Sequence, residues 1–140
     1  MRDGLALARI ARRRGLVFFV GADPRLAAAL GADGVHLPQR DAGRRGRNLV
    51  LKQRFLLSAA AHDEGSARRA RMAGVQALVV STVFPSTSPS AGLAMGRLAF
   101  ARLAHKTRLP IYALGGVNNF TIRQLMGSGA AGVAGVGAFD

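Results

Sequence analysis

The sequence predicts an α/β protein built on a parallel sheet, and three observations carry this. An Ala/Arg-rich amphipathic stretch ending at a glycine recurs along the 140-residue chain, and a short apolar run follows it each time. The apolar runs are continuous rather than alternating, as in strands of a sheet covered on both faces. Helix then strand, repeated, is the pattern of βα units.

The elements follow in order. "ARIARRRG" leads to "LVFFV", which places a helix before Gly15 and a strand near 16–20. Asp23-Pro24 sets an N-cap before proline at the first helical position. "PRLAAALG" then ends at Gly31 and leads to a strand near 34–37. The long connection "QRDAGRRGRNLVLKQRF" holds, at Leu49 to Lys52, a short turn of helix, and a strand near 55–61 follows. Asp63 and Glu64 put negative charge at the start of a helix reaching Ala73. Gly74 precedes a strand near 76–82. Leu98, Phe100, Ala101, Leu103 and Ala104 form the apolar stripe of the next helix, before a strand near 110–114. Asn118 caps a helix containing Ile122 and Leu125, which ends by Gly129 and precedes a strand near 132–136. Gly15, Gly31, Gly74 and Gly129 occupy positions where a helix C-cap needs positive φ. The expectation is about six strands and six helices.

Bulk properties narrow the class. A mean hydropathy of +0.19 argues for a packed core rather than disorder, and the length suits one domain, 1–140, without a linker. No apolar run approaches the roughly 18 residues that span a membrane, and the charged N-terminus does not read as a secretory signal; the expected location is cytoplasmic. The absence of cysteine excludes a disulfide framework and a thiolate nucleophile. The formal charge of +13 is almost all arginine, Lys52 and Lys106 being the lysines. It is scattered except at Arg12 to Arg14 and Arg40 to Arg54, and aromatics are few, so it reads as a solvated basic surface rather than a specific nucleic-acid interface. An RNA-associated module is the alternative. It requires Arg44, Arg45 and Arg47 to share one exposed face and to give salt-sensitive binding.

In parallel α/β architectures ligands bind beyond the C-terminal ends of the strands. "ALGGVNNFT" puts Gly115 and Gly116 at a strand end before a helix start, and "GVAGVGAF" places Val136 and Gly137 similarly in the next unit. Glycine lets backbone N–H groups approach an anion, so the two loops together form a candidate phosphate site; the alternative is that these glycines only permit tight turns. His62 follows "SAAA" at a strand end, where a histidine either moves protons near neutral pH or hydrogen-bonds a strand–helix junction. His36 reads as structural and His105 as a surface residue. Asp41 stands among arginines, as an ion-pair partner or a Mg²⁺ ligand. "FPSTSPSAGLAMG", from Phe84 to Gly96, brings serines, a threonine and prolines directly after the most apolar run.

With these blocks in view, "GADGVHLPQRD", "SAAAHDEGSARRARMAGVQALVVSTVFPSTS", "LPIYALGGVNN" and "GAAGVAGVGAF", the chain resembles the thiamine phosphate synthase/TenI family over nearly its whole length. The resemblance implies a (β/α)8 barrel and a place in thiamine biosynthesis. Synthases of this family join a thiazole phosphate to a pyrimidine methyl diphosphate and release diphosphate with Mg²⁺; TenI-type members include thiazole tautomerases. Carried over residue by residue, Gly116 matches the glycine that meets the thiazole phosphate, and Val136-Gly137 the second half of that site. His62 matches the tautomerase acid/base, and Asp41 the second metal aspartate. The usual Thr-x-Thr-Lys loop reads Ser86-Thr87-Ser88-Pro89, keeping both hydroxyls and losing the lysine. Gly21-Ala22 stands where synthases have an Asn-Asp pair, and Ala60 replaces a serine.

The family's first two strands and its Gln-x-Arg-x-Lys motif have no counterpart ahead of "RIARRRGLVFFV". The expectation is therefore an incomplete barrel of about six βα units, either a fragment or a sheet whose gap another chain closes. An in-frame continuation encoding that motif in the DNA before Met1 would decide for the fragment. The diphosphate-side groups are thus absent while the thiazole-phosphate side survives. This points to a phosphorylated thiazole as ligand, with synthase activity weak or lost. A His62 tautomerase, or a noncatalytic phosphate-ligand-binding or regulatory protein, stand as alternatives, and a homo-oligomer is one expected form of the chain.

Overall fold

The computed structural model describes residues 2–43, 55–89 and 91–136. Six strands run parallel in one sheet whose spatial order is their chain order. They are β1 (Phe19–Gly21), β2 (Gly34–Leu37), β3 (Leu56–Ala61), β4 (Ala77–Val80), β5 (Ile111–Ala113) and β6 (Gly132–Val133). A doubly wound sheet reverses its strand order at a switch point; this sheet does not, and that is the progression of a barrel wall.

Among the described residues α1 (Arg2–Arg13) precedes β1, and α2 (Pro24–Leu30), α3 (Glu64–Met72) and α4 (Gly96–Thr107) connect strands. The cap residues act as their chemistry dictates. The Asp23 carboxylate accepts from the N–H groups of Arg25 and Leu26, with Pro24 at the first helical position. Asp63 and Ser66 form a reciprocal capping box at α3, which closes the four N–H groups a helix start leaves open. Gly15, Gly31, Gly74 and Gly129 all have positive φ, as their places after amphipathic stretches require.

The helix expected after Asn118 is instead a 3₁₀ turn, Ile122–Leu125. Asn118 does cap it, its Oδ1 accepting from the N–H groups of Phe120 and Thr121. What shortens it lies downstream: the Ser128 hydroxyl donates to the Leu125 carbonyl at 2.6 Å, and Gly127 and Gly129 both turn to positive φ. The short helix expected at Leu49 to Lys52 lies outside the described residues.

The core occupies one face of the sheet. Val35, Leu37, Leu57, Ala59, Leu78, Val80, Ile111 and Ala113 alternate along β2 to β5 and are buried against Ala27 and Leu30 of α2, Ala67 and Ala70 of α3, and Phe100 and Leu103 of α4. The opposite, concave face departs from the expectation of cover on both sides: Leu56 is 46% and Tyr112 37% exposed. The facing positions Gly21, Gly34, Ala60, Ala77 and Gly132 are small, so no second layer forms there among the described residues. On this face the Phe19 ring lies over Gly34, its registered partner, and the Tyr112 ring over Gly132, where a Cβ would meet Tyr112 Cε1 at 2.9 Å.

Candidate functional site

The strand ends converge on a cleft of about 410 Å³ whose lining includes Ser81, Ser86, Ser88, Gly115, Gly116, Asn118 and Val136. Five of the residues singled out in the sequence, Ser86, Ser88, Gly115, Gly116 and Val136, therefore meet in one place. Gly137 lies outside the described residues, as do Arg44, Arg45 and Arg47.

Two loops are stitched together to make the cleft. The chain leaving β4 runs on beside the end of β5: the N–H of Leu114 donates to the Val80 carbonyl, that of Val83 to Leu114, and that of Phe84 to Gly115. This close approach explains the paired glycines. Gly115 and Gly116 have φ of +93° and +64°. A Cβ on Gly115 would fall 2.7 Å from Thr82 Cγ2, and one on Gly116 2.7 Å from the Phe84 carbonyl oxygen and against that of Pro85. Tight packing is thus one reason for the glycines. The N–H groups are a second matter: neither Gly115 nor Gly116, nor Gly135 or Val136, donates to any partner among the described residues. The Asn118 Oδ1 is turned to its own chain, leaving its Nδ2 donors unengaged there, and the Thr121 hydroxyl donates to the Gly116 carbonyl at 2.8 Å, fixing the turn. The cleft presents donors and no carboxylate.

The loop from Phe84 is closed at its base. The N–H of Met95 donates to the Thr82 carbonyl and that of Gly96 to the Val83 carbonyl, both at 2.9 Å. Within it the Ser86 hydroxyl accepts from the Ser88 N–H at 3.2 Å, while Phe84 is buried and Leu93 fully exposed. A compact loop with touching ends and its own side-chain contacts is an Ω-type loop, a frequent site of function.

His62 stands beside the glycine cleft rather than in it. Its Nδ1 meets the Ser81 carbonyl, and lies 3.3 Å from the Ser81 hydroxyl; Ser81 lines the glycine cleft. A carbonyl only accepts, so Nδ1 carries the proton and Nε2 of the neutral ring keeps its lone pair. The histidine itself lines a second cleft, of about 470 Å³, with Pro38, Gln39, Arg40, Gly43, Ala60 and Arg69. Gln39 and Arg40 stand just past a strand, among the positions the sequence marks for ligands; Arg69 carried no such signal, because only the fold brings the β2 loop against α3.

The other histidines follow their expected places. His36 Nδ1 lies 2.9 Å from the Ser58 hydroxyl across the registered β2–β3 pair, and burial holds its pKa below the ordinary value; His105 is exposed. Asp63, committed to its cap, is held below the ordinary carboxylate range first by the Ser66 N–H, with the Arg69 guanidinium adding to this.

The residues present do not fit a Mg²⁺ site of the expected kind. Among the described residues no three of His, Asp or Glu converge, Gly21-Ala22 offers no carboxylate at the end of β1, and Asp41 lines neither cleft. Among the same residues no helix is long and apolar enough to cross a membrane.

Comparison with known proteins places this arrangement. Residues 1–139 match the protein family described as thiamine monophosphate synthase. The chain is 36% identical over 141 residues to a thiamine-phosphate synthase of Methylococcus capsulatus, covering 99% of this chain and 62% of that protein. It is 37% identical over 134 residues to the thiamine-phosphate synthase of Thermus thermophilus, covering 91% and 61%. Among solved structures, a thiamine phosphate pyrophosphorylase from Pyrococcus furiosus superposes with a TM-score of 0.82 at 24% identity, over 96% of this chain and 64% of that one; at that identity the likeness speaks for the fold. The chain therefore spans somewhat over three fifths of the length of these relatives.

Proposed function

The chain belongs to the thiamine monophosphate synthase family, and on that premise we propose that the cleft between the ends of β4, β5 and β6 holds the phosphate of a phosphorylated thiazole. The observation that carries this reading is the set of backbone N–H groups, from Gly115, Gly116, Gly135 and Val136, that have no partner among the described residues and gather with the hydroxyls of Ser86 and Ser88 around one opening. Donors fixed by the backbone need no reorganisation to meet an anion, and charge-assisted hydrogen bonds are roughly twice as strong as neutral ones. Condensation with a diphosphate ester is a different demand, since the leaving group needs a metal or a cationic clamp. The acidic residues described here do not assemble the first. The reading is therefore of a thiazole-phosphate-binding protein with weak synthase activity.

Calorimetric titration with thiazole phosphate tests it. Saturable binding is expected, weakened about tenfold or more by the double change Ser86→Ala/Ser88→Ala, since a hydrogen bond to a charged group contributes about 1.5–3 kcal/mol. No detectable heat at millimolar ligand would remove the reading.

A second reading is favoured by one observation, the Ser81 carbonyl that fixes the His62 tautomer. A ring held this way offers Nε2 as a proton acceptor next to the phosphate cleft, as thiazole tautomerisation would use it. Under this reading His62→Ala abolishes proton exchange on the thiazole ring and leaves thiazole phosphate binding intact; an unchanged exchange rate rejects it.

A further inference from the structure

We propose that the groove between α3 and α4, on the outer surface of the helical layer, is a docking surface for an acidic segment of a partner protein, whose apolar side chains enter two hollows and whose carboxylates meet Arg68, Arg71 and Arg102.

The groove follows from the two helix sequences. α3 and α4 each follow a strand of the same parallel sheet, so they run side by side in one direction. Ala67 and Ala99, short residues at their seam, leave it open on the solvent side. The upper hollow, of about 340 Å³, rests on Leu103 and Met95 and carries Arg102 on its wall. The lower, of about 260 Å³, rests on Ala67 and Thr107 and is walled by Arg68 and Arg71. Glu64 and Lys106 line both, so their ion pair, Nζ to Oε2 at 3.0 Å, divides the two hollows.

Helical spacing aims the cations. Arg68 and Arg71 stand three residues apart, and Arg102 and Lys106 four apart, so each pair shares one face of its helix. All four are exposed. Among the described residues the ion pair present is Lys106 with Glu64, and Arg68, Arg71 and Arg102 have no carboxylate partner. Asp63, at the top of the groove, is committed to the α3 cap, accepting from the Ser66 N–H at 2.7 Å.

Charge and shape select the occupant. The three arginines lie on either side of the Glu64 carboxylate, so a single small anion cannot meet them all; a chain with spaced carboxylates can. A second copy of this protein brings 20 basic residues against 7 acidic, and a formal charge of +13 repels its like. No Phe, Tyr or Trp lines either hollow, so bases of an RNA find nothing aromatic to stack on. A bilayer takes a protruding apolar face, and these apolar floors are recessed. An amphipathic helix laid in a groove, with apolar anchors flanked by charge, meets both requirements. None of the residues of the thiazole phosphate reading is used, so the two stand or fall separately.

The test is fluorescence anisotropy on the whole chain with a labelled synthetic peptide of about 14 residues, leucines at helical spacing flanked by glutamates. The same residues in shuffled order, and unlabelled poly(A) RNA as competitor, are the comparisons. Saturable binding is expected, about fivefold tighter than for the shuffled peptide. Arg68→Glu/Arg71→Glu and Arg102→Glu should each weaken it about fivefold or more, whereas Arg25→Glu/Arg123→Glu, a matched change on exposed arginines elsewhere, should stay within about twofold. Arg68→Gln/Arg71→Gln serves should the reversed variant fail to fold, and is expected to weaken binding in the same direction. Glu64→Gln, which removes the negative charge between the hollows, should tighten binding. Absence of saturable binding at millimolar peptide overturns the proposal, as does equal binding of the shuffled peptide. So does equal weakening by the matched arginine change, or weaker binding in Glu64→Gln. Complete displacement by poly(A) at equal charge also overturns it and assigns the groove to nucleic acid.

Discussion

The two faces of the sheet are made by the same short strands, in alternate positions, yet they are built to different ends. The helix-covered face carries Val35, Leu37, Leu57, Leu78, Val80 and Ile111, none more than 1% exposed. The concave face carries glycine and alanine at many of its positions, and its larger residues, Leu56 and Tyr112, stay partly open. Burial of apolar area is what stabilises the chain, so the covered face holds most of the folding energy. The concave face, relieved of that task, leads upward to the strand ends where both clefts open. Packing and chemistry are separated by the pleat itself: one step along a strand moves a residue from one to the other.

The largest expected effect tests the covered face. Leu78→Ala removes a fully buried side chain at the centre of the sheet and should lower unfolding free energy by about 2–5 kcal/mol in urea titration. A loss below 1 kcal/mol would mean that the core is not where the burial pattern puts it. Tyr112→Ala is the matched change on the concave face. It removes the ring that lies over Gly132 and should cost only about 0.2–1 kcal/mol, the range of a cross-strand pair. A cost as large as that of Leu78→Ala would erase the distinction between the faces.

The smallest effect is one of pH and falls on His36, the histidine of the concave strands. Burial lowers its pKa in the folded chain, so the folded state favours the neutral ring. Its contribution is full above the unfolded value of 6.5 and is lost as pH falls through the lowered folded value. Stability should therefore decline on acidification from pH 7.5 to 5.5, and His36→Gln should flatten that slope. Asp63 does not confuse the measurement: its pKa is lowered from 3.8, so its own contribution is lost only at more acid pH. An unchanged slope in the variant would place the acid sensitivity elsewhere.

What could be read from the sequence was local in origin. Asp23-Pro24, Asp63 and the glycines Gly15, Gly31 and Gly74 act through neighbours a few residues away, and each does in the fold what its place in the chain implies, whereas Gly129 has the expected positive φ but stands beyond the end of the turn at Leu125 and caps no helix. The six strands appear where the apolar runs lie, although β6 is shorter than its run: the Ala134 N–H makes a last bond to the Ala113 carbonyl, and Gly135 and Val136 donate to no partner among the described residues. The 3₁₀ turn at Ile122 was not legible, since it depends on the Ser128 hydroxyl competing for a helix carbonyl. Of the site, the strand-end glycines and serines could be named in advance, but not the reason Gly116 tolerates no side chain. That reason is the carbonyls of Phe84 and Pro85, some thirty residues earlier in the chain. The approach of Arg69 to the loop after β2 was hidden in the same way, Arg69 being indistinguishable by sequence from its solvated neighbours on α3.

The closed base of the serine loop has a consequence for how such a protein can change. With Met95 and Gly96 tied to Thr82 and Val83, the strand before the loop and the helix after it are held in place whatever lies between. Lengthening a closed loop costs little, about 0.6 kcal/mol for a doubling. The segment behaves as an exchangeable cassette: residues can be inserted, shortened or swapped at its tip, around the exposed Leu93, while α4 keeps its seat on the sheet. On the proposed reading of the glycine cleft, ligand preference is free to drift through Ser86 and Ser88 without the scaffold having to be solved again.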